Sequence, residues 1–572
     1  MNFLYNIKSV WEGWQYNADR FPNNDAIVHW IAGENPYRWS YGELFKCANK
    51  FSVQLRKIGV KPNQVCALII KHNPLFYPIY LSVVGIGALP AVLAYPNPRL
   101  HPDKFRNGLV GMSQRSGLDW ILTERDLEPI IKPLVNKKDS TVKGLLYPLE
   151  WEKDAEMSKV QEEINNVRSN VSLNDHVLLQ HSSGTTGLQK PVILSHNAII
   201  KHVIDYSLAL NITRKDKIVS WLPLYHDMGL IAAFHMPLLL GIPAIQLDPF
   251  EWVIAPFLLC QAISDEKATI SWLPNFAYNF MADKINDEEL EGLSLESLRL
   301  VINCSEPVRD VSHKKFIAKF SKYKLDPDSI STCYAMAETT FAVSQSLPGN
   351  TPLEITTDRD ELAKGRVKLA DNNSVKRICV SSGRLINNCK VKIVNDSREM
   401  LKGKEVGEIA VKSVSLFDGY RNYPEKTSQV FDEEGWFYTG DYGFIYEDEL
   451  FVIGRKKDII IEGGINIYPE DVEDAVNRVQ GVIAGRIIAF GEEEVSLGTE
   501  HVSVVAETNK NPDEYDRLRI EIIRAGMGIN VTIKKVYLVP PRWLIKSSSG
   551  KPSRKTNSER LINNINKEVW SK

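Results

Sequence analysis

Four hydroxyls, two glycines and a lysine fall within nine residues, Ser182-Ser183-Gly184-Thr185-Thr186-Gly187-Leu188-Gln189-Lys190. Gly184 and Gly187 permit backbone conformations that turn amide N–H groups toward one point. The hydroxyls of Ser182, Ser183, Thr185 and Thr186 add donors, and Lys190 adds a positive charge. Together they make a nest for an anion carrying several oxygens, such as a nucleotide triphosphate tail. The spacing differs from G-x-x-x-x-G-K-[ST], because Lys190 comes three residues after Gly187 and Pro191 follows it. Spacing alone is equally that of a Ser/Thr-rich surface turn.

Such a loop must be held by flanking elements. "HVLLQ" (176–180) precedes it, and similar β-branched runs recur as "QVCALII" (64–70), "ALPAVLA" (88–94), "DWILT" (119–123), "KIVSWL" (217–222), "ATISWL" (268–273) and "LRLVINC" (298–304). Helix-like segments lie between them, which predicts α/β layers with largely parallel sheets. After about residue 376 the runs become short and punctuated by Gly, Asn and Asp, as in a small β-barrel or meander. From about 455 the texture returns to mixed α/β, with a helix over "PEDVEDAVNRV". The polar stretch Gly454-Arg455-Lys456-Lys457-Asp458 suits a hinge.

The 572 residues are too many for one core. A formal charge of −2 gives no long-range attraction to nucleic acid or anionic lipid. Seven scattered cysteines with no CxxC pair argue against a zinc site or disulfide framework and for a reducing, cytoplasmic setting. The stretch 76–94 is the most apolar. Pro78, Pro90 and the Gly85-Ile86-Gly87 turn are expected to break it into a buried helix and a strand, not a membrane span.

"SSGTTGLQK", "WLPLYHDMGL" (221–230), "YAMAETT" (334–340), "YTGD" (438–441), "GRKKD" (454–458), "GGINIYPEDVE" (463–473) and "KSSSGK" (546–551) occur in this order. The series resembles the adenylate-forming superfamily of acyl-CoA synthetases, luciferases and peptide-synthetase adenylation domains. "PNFAYNF", "SEPVR" and the segment 347–377, placed where one branch carries an insertion, resemble the fatty acyl-AMP ligases in particular. In that branch the insertion goes with delivery to a carrier-protein thiol instead of coenzyme A. The resemblance implies an N-terminal adenylation domain (1–454) of two doubly wound α/β subdomains plus a small β-barrel (about 376–454). A small mobile α+β C-terminal domain (455–572) would follow.

The implied cofactors are ATP and Mg²⁺. By the same resemblance the loop Ser182–Lys190 holds the β- and γ-phosphates, with Tyr334 and Thr339 also at the nucleotide. Glu338 holds Mg²⁺, Asp441 accepts the ribose hydroxyls, and Arg455 contacts ribose or α-phosphate. Lys551 bridges the substrate carboxylate and α-phosphate, and Lys457 marks the hinge about which the C-terminal domain swings between two steps. Glu338, Asp441, Arg455 and Lys551 together count against a nucleotide-binding scaffold without turnover. Where such ligases usually read Pro-Lys-Gly, this chain has Gln189-Lys190-Pro191, which stiffens the loop exit and removes one amide donor.

The acid pocket is where the chain departs furthest. His226, Asp227, Trp272, Cys304, Ser305 and Ala335 fall at pocket positions, and Trp272-Leu273, Cys304 and Ala335 replace residues that are typically glycine or alanine in the branch. A close-packed interior does not absorb an indole, a thiol and a methyl without losing a void. A short pocket and a small carboxylic or amino acid are therefore expected, unless Trp272 packs outward. Asp227 could pair with a substrate ammonium, which makes glycine the leading expectation. The pattern is also similar to the glycine-activating carrier-protein ligases of lipid A aminoacylation. The expected acceptor is a phosphopantetheinylated carrier protein. The alternatives are a fatty acyl-AMP ligase loading an acyl carrier protein and, after it, an acyl-CoA synthetase. Neither nucleic acid nor stable membrane insertion is expected.

Overall fold

The computed structural model describes residues 2–96, 102–135, 138–151, 160–182, 189–463, 465–494, 499–546 and 552–564. Its largest element is a nine-stranded sheet. From one edge the strands run Arg384–Leu385, Ala342–Gln345, Ile330–Ala335, Leu300–Cys304, Ile270–Pro274, Ile218–Ser220, Ala244–Gln246, Asp25–His29 and Tyr37–Ser40. The central pairs are parallel and the outer ones antiparallel. Strands buried on both faces need near-continuous apolar sequence, and "LVINC" and "ISWLP" are buried throughout. A second, all-parallel sheet orders Leu89–Val92, Val65–Ile69, Leu118–Thr123 and Gly144–Leu146. These two layers are the expected doubly wound units.

The apolar stretch 76–94 divides into helix Phe76–Gly85 and strand Leu89–Val92, but not as the prolines suggested. Pro78 sits in the first turn of the helix, where its missing N–H has no intrahelical partner to lose. Pro90 lies on an edge strand, which tolerates the missing donor. The break is made by Gly87, whose φ of +72° ends the helix. Among the described residues no helix is long and apolar enough to cross a membrane. All seven cysteines are buried thiols outside any disulfide.

The expected barrel region takes the form of a four-stranded antiparallel meander, Cys389–Val394, Gly407–Ser413, Phe437–Tyr446 and Glu449–Arg455. Beside it the insertion folds as a ribbon, Glu354–Asp358 against Lys376–Val380, with helix Arg359–Ala363 between. The Lys456–Asp458 turn leads into residues with an apolar cluster of their own, including Val472, Ile522 and Leu538. There the strands Val482–Glu494, Thr499–Thr508 and Ile533–Val539 carry helices Pro469–Asn477 and Tyr515–Met527.

The insertion meets that last region through charge. Arg377, 6% exposed, reaches Asp471 at 3.2 Å and donates to the Ile453 carbonyl. Arg309 lies 3.6 Å from Asp471 and 3.1 Å from Asp474.

Candidate active site

The strands His176–Ser182 and Lys190–Ser195 pair antiparallel, so Ser182 and Lys190 stand opposite each other at the open end of a hairpin. Residues 183–188, which include Ser183, Gly184, Thr185, Thr186 and Gly187, lie outside the described residues, as does the Ser182 side chain. The cation of the motif is placed. Lys190 Nζ lies 3.4 Å from the Tyr420 hydroxyl and over its ring. Tyr420 in turn donates to Glu338 Oε1 at 2.8 Å. Glu338 rides on the short turn Ala337–Thr339, directly beyond strand Ile330–Ala335. The next residue but one, Thr340, has φ +67°, a conformation that costs a β-branched residue energy. Thr340 is held there by a hydrogen bond from its hydroxyl to the Ser415 carbonyl, and Thr339 points its hydroxyl back to Met336 and Phe341 carbonyls. Thr339 thus supports the turn. Burial draws the Lys190 amine below its usual range, against the pull of Glu338.

The second group surrounds Asp441. Strands Phe437–Tyr446 and Glu449–Arg455 set Asp441 directly opposite Arg455. Tyr334 donates to Asp441 Oδ2 at 2.7 Å, and Arg455 Nε is 3.3 Å from Oδ1. Each carboxylate oxygen keeps a second lone pair, so acceptor capacity remains for a vicinal diol. Asp441 raises the Arg455 guanidinium above its usual range. Two residues on, the groups packed around it and the like charge of Arg455 bring Lys457 down to about 8. The fields of Lys190, Glu338, Asp441, Arg455 and Lys457 reach one another. Five residues spread over nearly 270 positions of sequence therefore share one location.

Lys551 lies outside the described residues. Its neighbours are placed: Lys546 bridges Pro552 and feels the charge of the half-buried Glu306, which follows Ser305. Arg554 pairs with Asp458 at 3.0 Å and with Glu470 and Glu473 at 2.8 Å, tying the tail to the turn that holds Lys457.

The third group lies at the C-terminal ends of the parallel strands, the usual crevice of an open α/β sheet. Asp227 caps a π-helical segment, Met228–His235, accepting from the Met228 amide at 2.8 Å. The same oxygen is 2.5 Å from His226 Nδ1. Gly229 is required there, since a Cβ would stand 2.4 Å from the Pro223 carbonyl oxygen. Ser305, at φ +71°, and the half-buried Ala335 terminate adjacent strands. Register then fixes which side chains share a face. Trp272 opposes Ile302, Ile302 opposes Ser331, and Cys333 opposes Gln345. With the alternation of strands, Trp272, Cys304, Cys333 and Gln345 face helix His196–Ala209. Trp272 therefore packs inward, fully buried, and donates to the Tyr206 hydroxyl at 3.0 Å.

Three contributors escaped the sequence reading. Tyr420 stands in no spacing that marks it. Tyr206 could have been suspected from its i, i+4 relation to His202 on one helix face. Gln345 has no local signal at all.

Residues 14–421 match the AMP-binding enzyme family. The chain is 32% identical over 413 residues to FadD30 of Mycobacterium tuberculosis, named a probable long-chain-fatty-acid–AMP ligase, with 66% of this chain and 68% of that one covered. It is 30% identical to JamA of Moorena producens, named a medium-chain-fatty-acid–[acyl-carrier-protein] ligase, over 90% of this chain and 88% of that one. A fatty acyl-adenylate ligase from Legionella pneumophila, solved with acyl adenylate and pyrophosphate, superposes with TM-score 0.74 at 26% identity, covering 100% of this chain and 99% of that one. A structure from a study of the E. coli and L. pneumophila fatty acyl-adenylate ligases gives TM-score 0.87 at 23% identity, with 98% of each chain covered. Such enzymes use ATP with Mg²⁺ to join an acid to AMP. The chain belongs to the AMP-binding, adenylate-forming family, on its fatty acyl-AMP ligase-like branch.

Proposed function

We propose that this adenylate-forming ligase activates a short carboxylic acid, glycine the first to test, and passes it to the phosphopantetheine thiol of a carrier protein. One carboxylate oxygen of the acid attacks the α-phosphorus of ATP, and the bond to the leaving pyrophosphate breaks. The thiol sulfur then attacks the acyl carbon, releasing AMP. Lys190 and the loop 182–188 neutralise the phosphate tail, and Tyr334, Asp441 and Arg455 hold the ribose. Among the described residues no cluster of three His, Cys, Asp or Glu could cage a metal. A single buried Glu338, held by Tyr420, would hold a Mg²⁺ through its carboxylate, a hard oxygen donor suited to that ion. When bound, that ion supplies charge neutralisation at the phosphates. Lys551, carried on the tail, supplies the cation that joins carboxylate and α-phosphate.

The observation that carries the short-acid reading is the fully buried Trp272 indole, turned inward and held by Tyr206. Asp227 supports an amino acid less firmly, because one of its oxygens already caps a helix. The second reading is a fatty acid delivered to an acyl carrier protein. The names of FadD30 and JamA favour it over glycine. Pyrophosphate exchange with glycine, alanine, butyrate, octanoate and dodecanoate separates the two. Strongest exchange with dodecanoate and none with glycine would establish the second reading. In the same assay Lys551→Ala is expected to lower exchange by roughly 10²–10³-fold while ATP still binds. Thioester formation on a holo carrier protein, set against coenzyme A, identifies the acceptor.

A further inference from the structure

Tyr206 is fully buried, and its hydroxyl is the centre of a polar chain inside an otherwise apolar wall. It accepts from Trp272 Nε1 at 3.0 Å and donates to Gln345 Oε1 at 2.9 Å. The amide of Gln345 is fixed from behind: its Nε2 donates to Ser331 Oγ at 2.6 Å and to the Ser346 carbonyl at 3.2 Å. Ser331 and Ser346 hydroxyls are themselves hydrogen-bonded at 2.7 Å. Three strands and one helix are joined by this chain. Every member is satisfied, and a satisfied buried network fixes one arrangement of its rings.

The rings lie on the sheet face that carries Trp272 and Cys304, two positions that the resemblance assigns to the acid pocket. Tyr206 packs against His202 and Phe341 and tilts against Trp272. Cys304 and Cys333 share the sheet face of Trp272 and Gln345, the face turned toward Tyr206. The network therefore stands on the same sheet face as Cys304, at the end of its strand.

We propose that Tyr206 and Gln345 are specificity-determining residues, setting the length of acid that the enzyme accepts by pinning the Trp272 indole as a floor. The inference rests on the placement of the acid pocket under Proposed function. It goes beyond that reading in assigning the limit to a hydrogen-bonded clamp and not to the bulk of Trp272 alone. A free indole can turn about its χ angles and admit a longer chain. An indole whose N–H is held by a fixed hydroxyl leaves a polar group unpaired if it turns away. Neither Tyr206 nor Gln345 touches the reacting atoms, so both act through Trp272.

The test is pyrophosphate exchange on the full chain with glycine, butyrate, octanoate and dodecanoate, for wild type, Tyr206→Phe, Gln345→Leu and Trp272→Ala. Thermal melts confirm that each variant is folded. Tyr206→Phe keeps the ring and removes both hydrogen bonds. It is expected to raise kcat/KM for octanoate relative to the best short acid by about tenfold or more, the scale of hydrophobic-pocket discrimination. The change should come mostly through KM. Gln345→Leu should move the ratio in the same direction, and Trp272→Ala should extend acceptance to dodecanoate. A merely structural role would lower kcat for all acids together and leave their ratios unchanged. Unchanged ratios in Tyr206→Phe and Gln345→Leu, with Trp272→Ala shifted, would overturn the clamp. Unchanged ratios in all three would overturn the floor as well. A wild-type preference for dodecanoate would sink the short-acid reading whatever the variants do, so the two failures are distinguishable.

Discussion

At the scale of single residues, the site works by holding charges that would otherwise repel or wander. Glu338 needs its carboxylate aimed at one point, and Tyr420 does the aiming with a 2.8 Å hydrogen bond. Glu338→Gln removes the charge and is expected to lower pyrophosphate exchange roughly 10²–10³-fold. Tyr420→Phe keeps the charge but frees it, and should weaken Mn²⁺–ATP binding by about tenfold, read by calorimetry, a hydrogen bond to a charged group being worth about 1.5–3 kcal/mol. Unchanged Mn²⁺–ATP affinity in Tyr420→Phe would remove Tyr420 from the site. Lys457 poses the opposite problem, a cation brought down to about 8 by the groups packed around it and by Arg455, though its side chain still reaches solvent. Between pH 8 and 10.5 the unfolded chain still holds that proton after the folded chain has released it, so this group makes stability rise with pH there. Below pH 8 both states are protonated, and the cost of the charged lysine is fully present. The Tm of wild type minus that of Lys457→Met should climb through this window and level off on either side. A flat difference would refute the assignment.

At the scale of elements, the insertion and helix Pro469–Asn477 are joined by buried charge. Arg377 and Arg309 converge on Asp471, and Arg377 also stacks over Tyr468. Asp471 is the carboxylate that pairs with the buried Arg377, so Asp471→Leu leaves that charge uncompensated and should cost about 3–5 kcal/mol. Replacing Arg309, Arg377 and Asp471 together by apolar residues of similar volume should be close to neutral. Denaturant melts of the single and triple variants check this, and similar losses in both would show that the ions contribute nothing specific. These elements differ in how far the sequence announced them. "LRLVINC" and "ATISWL" could be read as strands because continuous β-branched runs fit only a sheet buried on both faces. Pro78 misled, because a proline in a first helical turn breaks nothing. Trp272 could be suspected as a filler, yet only the register of four strands decides which face it takes. Its partner Tyr206 stands 66 residues away on a helix, and no local pattern encodes that meeting.

At the scale of the whole molecule, residues that motif order singles out lie near one another: Lys190, Glu338, Asp441, Arg455 and Lys457 come together from distant parts of the sequence. What motif order did not carry is how the layers are stitched, and histidines do much of that. His29, His181, His196, His202, His235 and His313 are all buried, and burial brings them down to about 3 to 4. All but His313 join segments far apart in the sequence. His196 accepts from the Val10 amide, His202 from the Ala342 amide, and His235 meets Tyr80. His313 meets Asn303, His181 meets Ser116, and His29 meets Tyr77. An imidazole nitrogen that accepts a backbone N–H loses that bond when protonated. With folded values below the ordinary 6.5, the unfolded chain binds more protons between about pH 6.5 and 4, so stability falls as pH drops through that range and is level above it on this account. The expected outcome is a Tm that begins to fall near pH 6.5, before the carboxylates are protonated. In the folded protein the imidazole resonances of these six should show no titration down to pH 5. A Tm held constant from pH 6.5 to 4.5, or six imidazoles titrating near 6.5 in the folded chain, would overturn this account of what joins the layers.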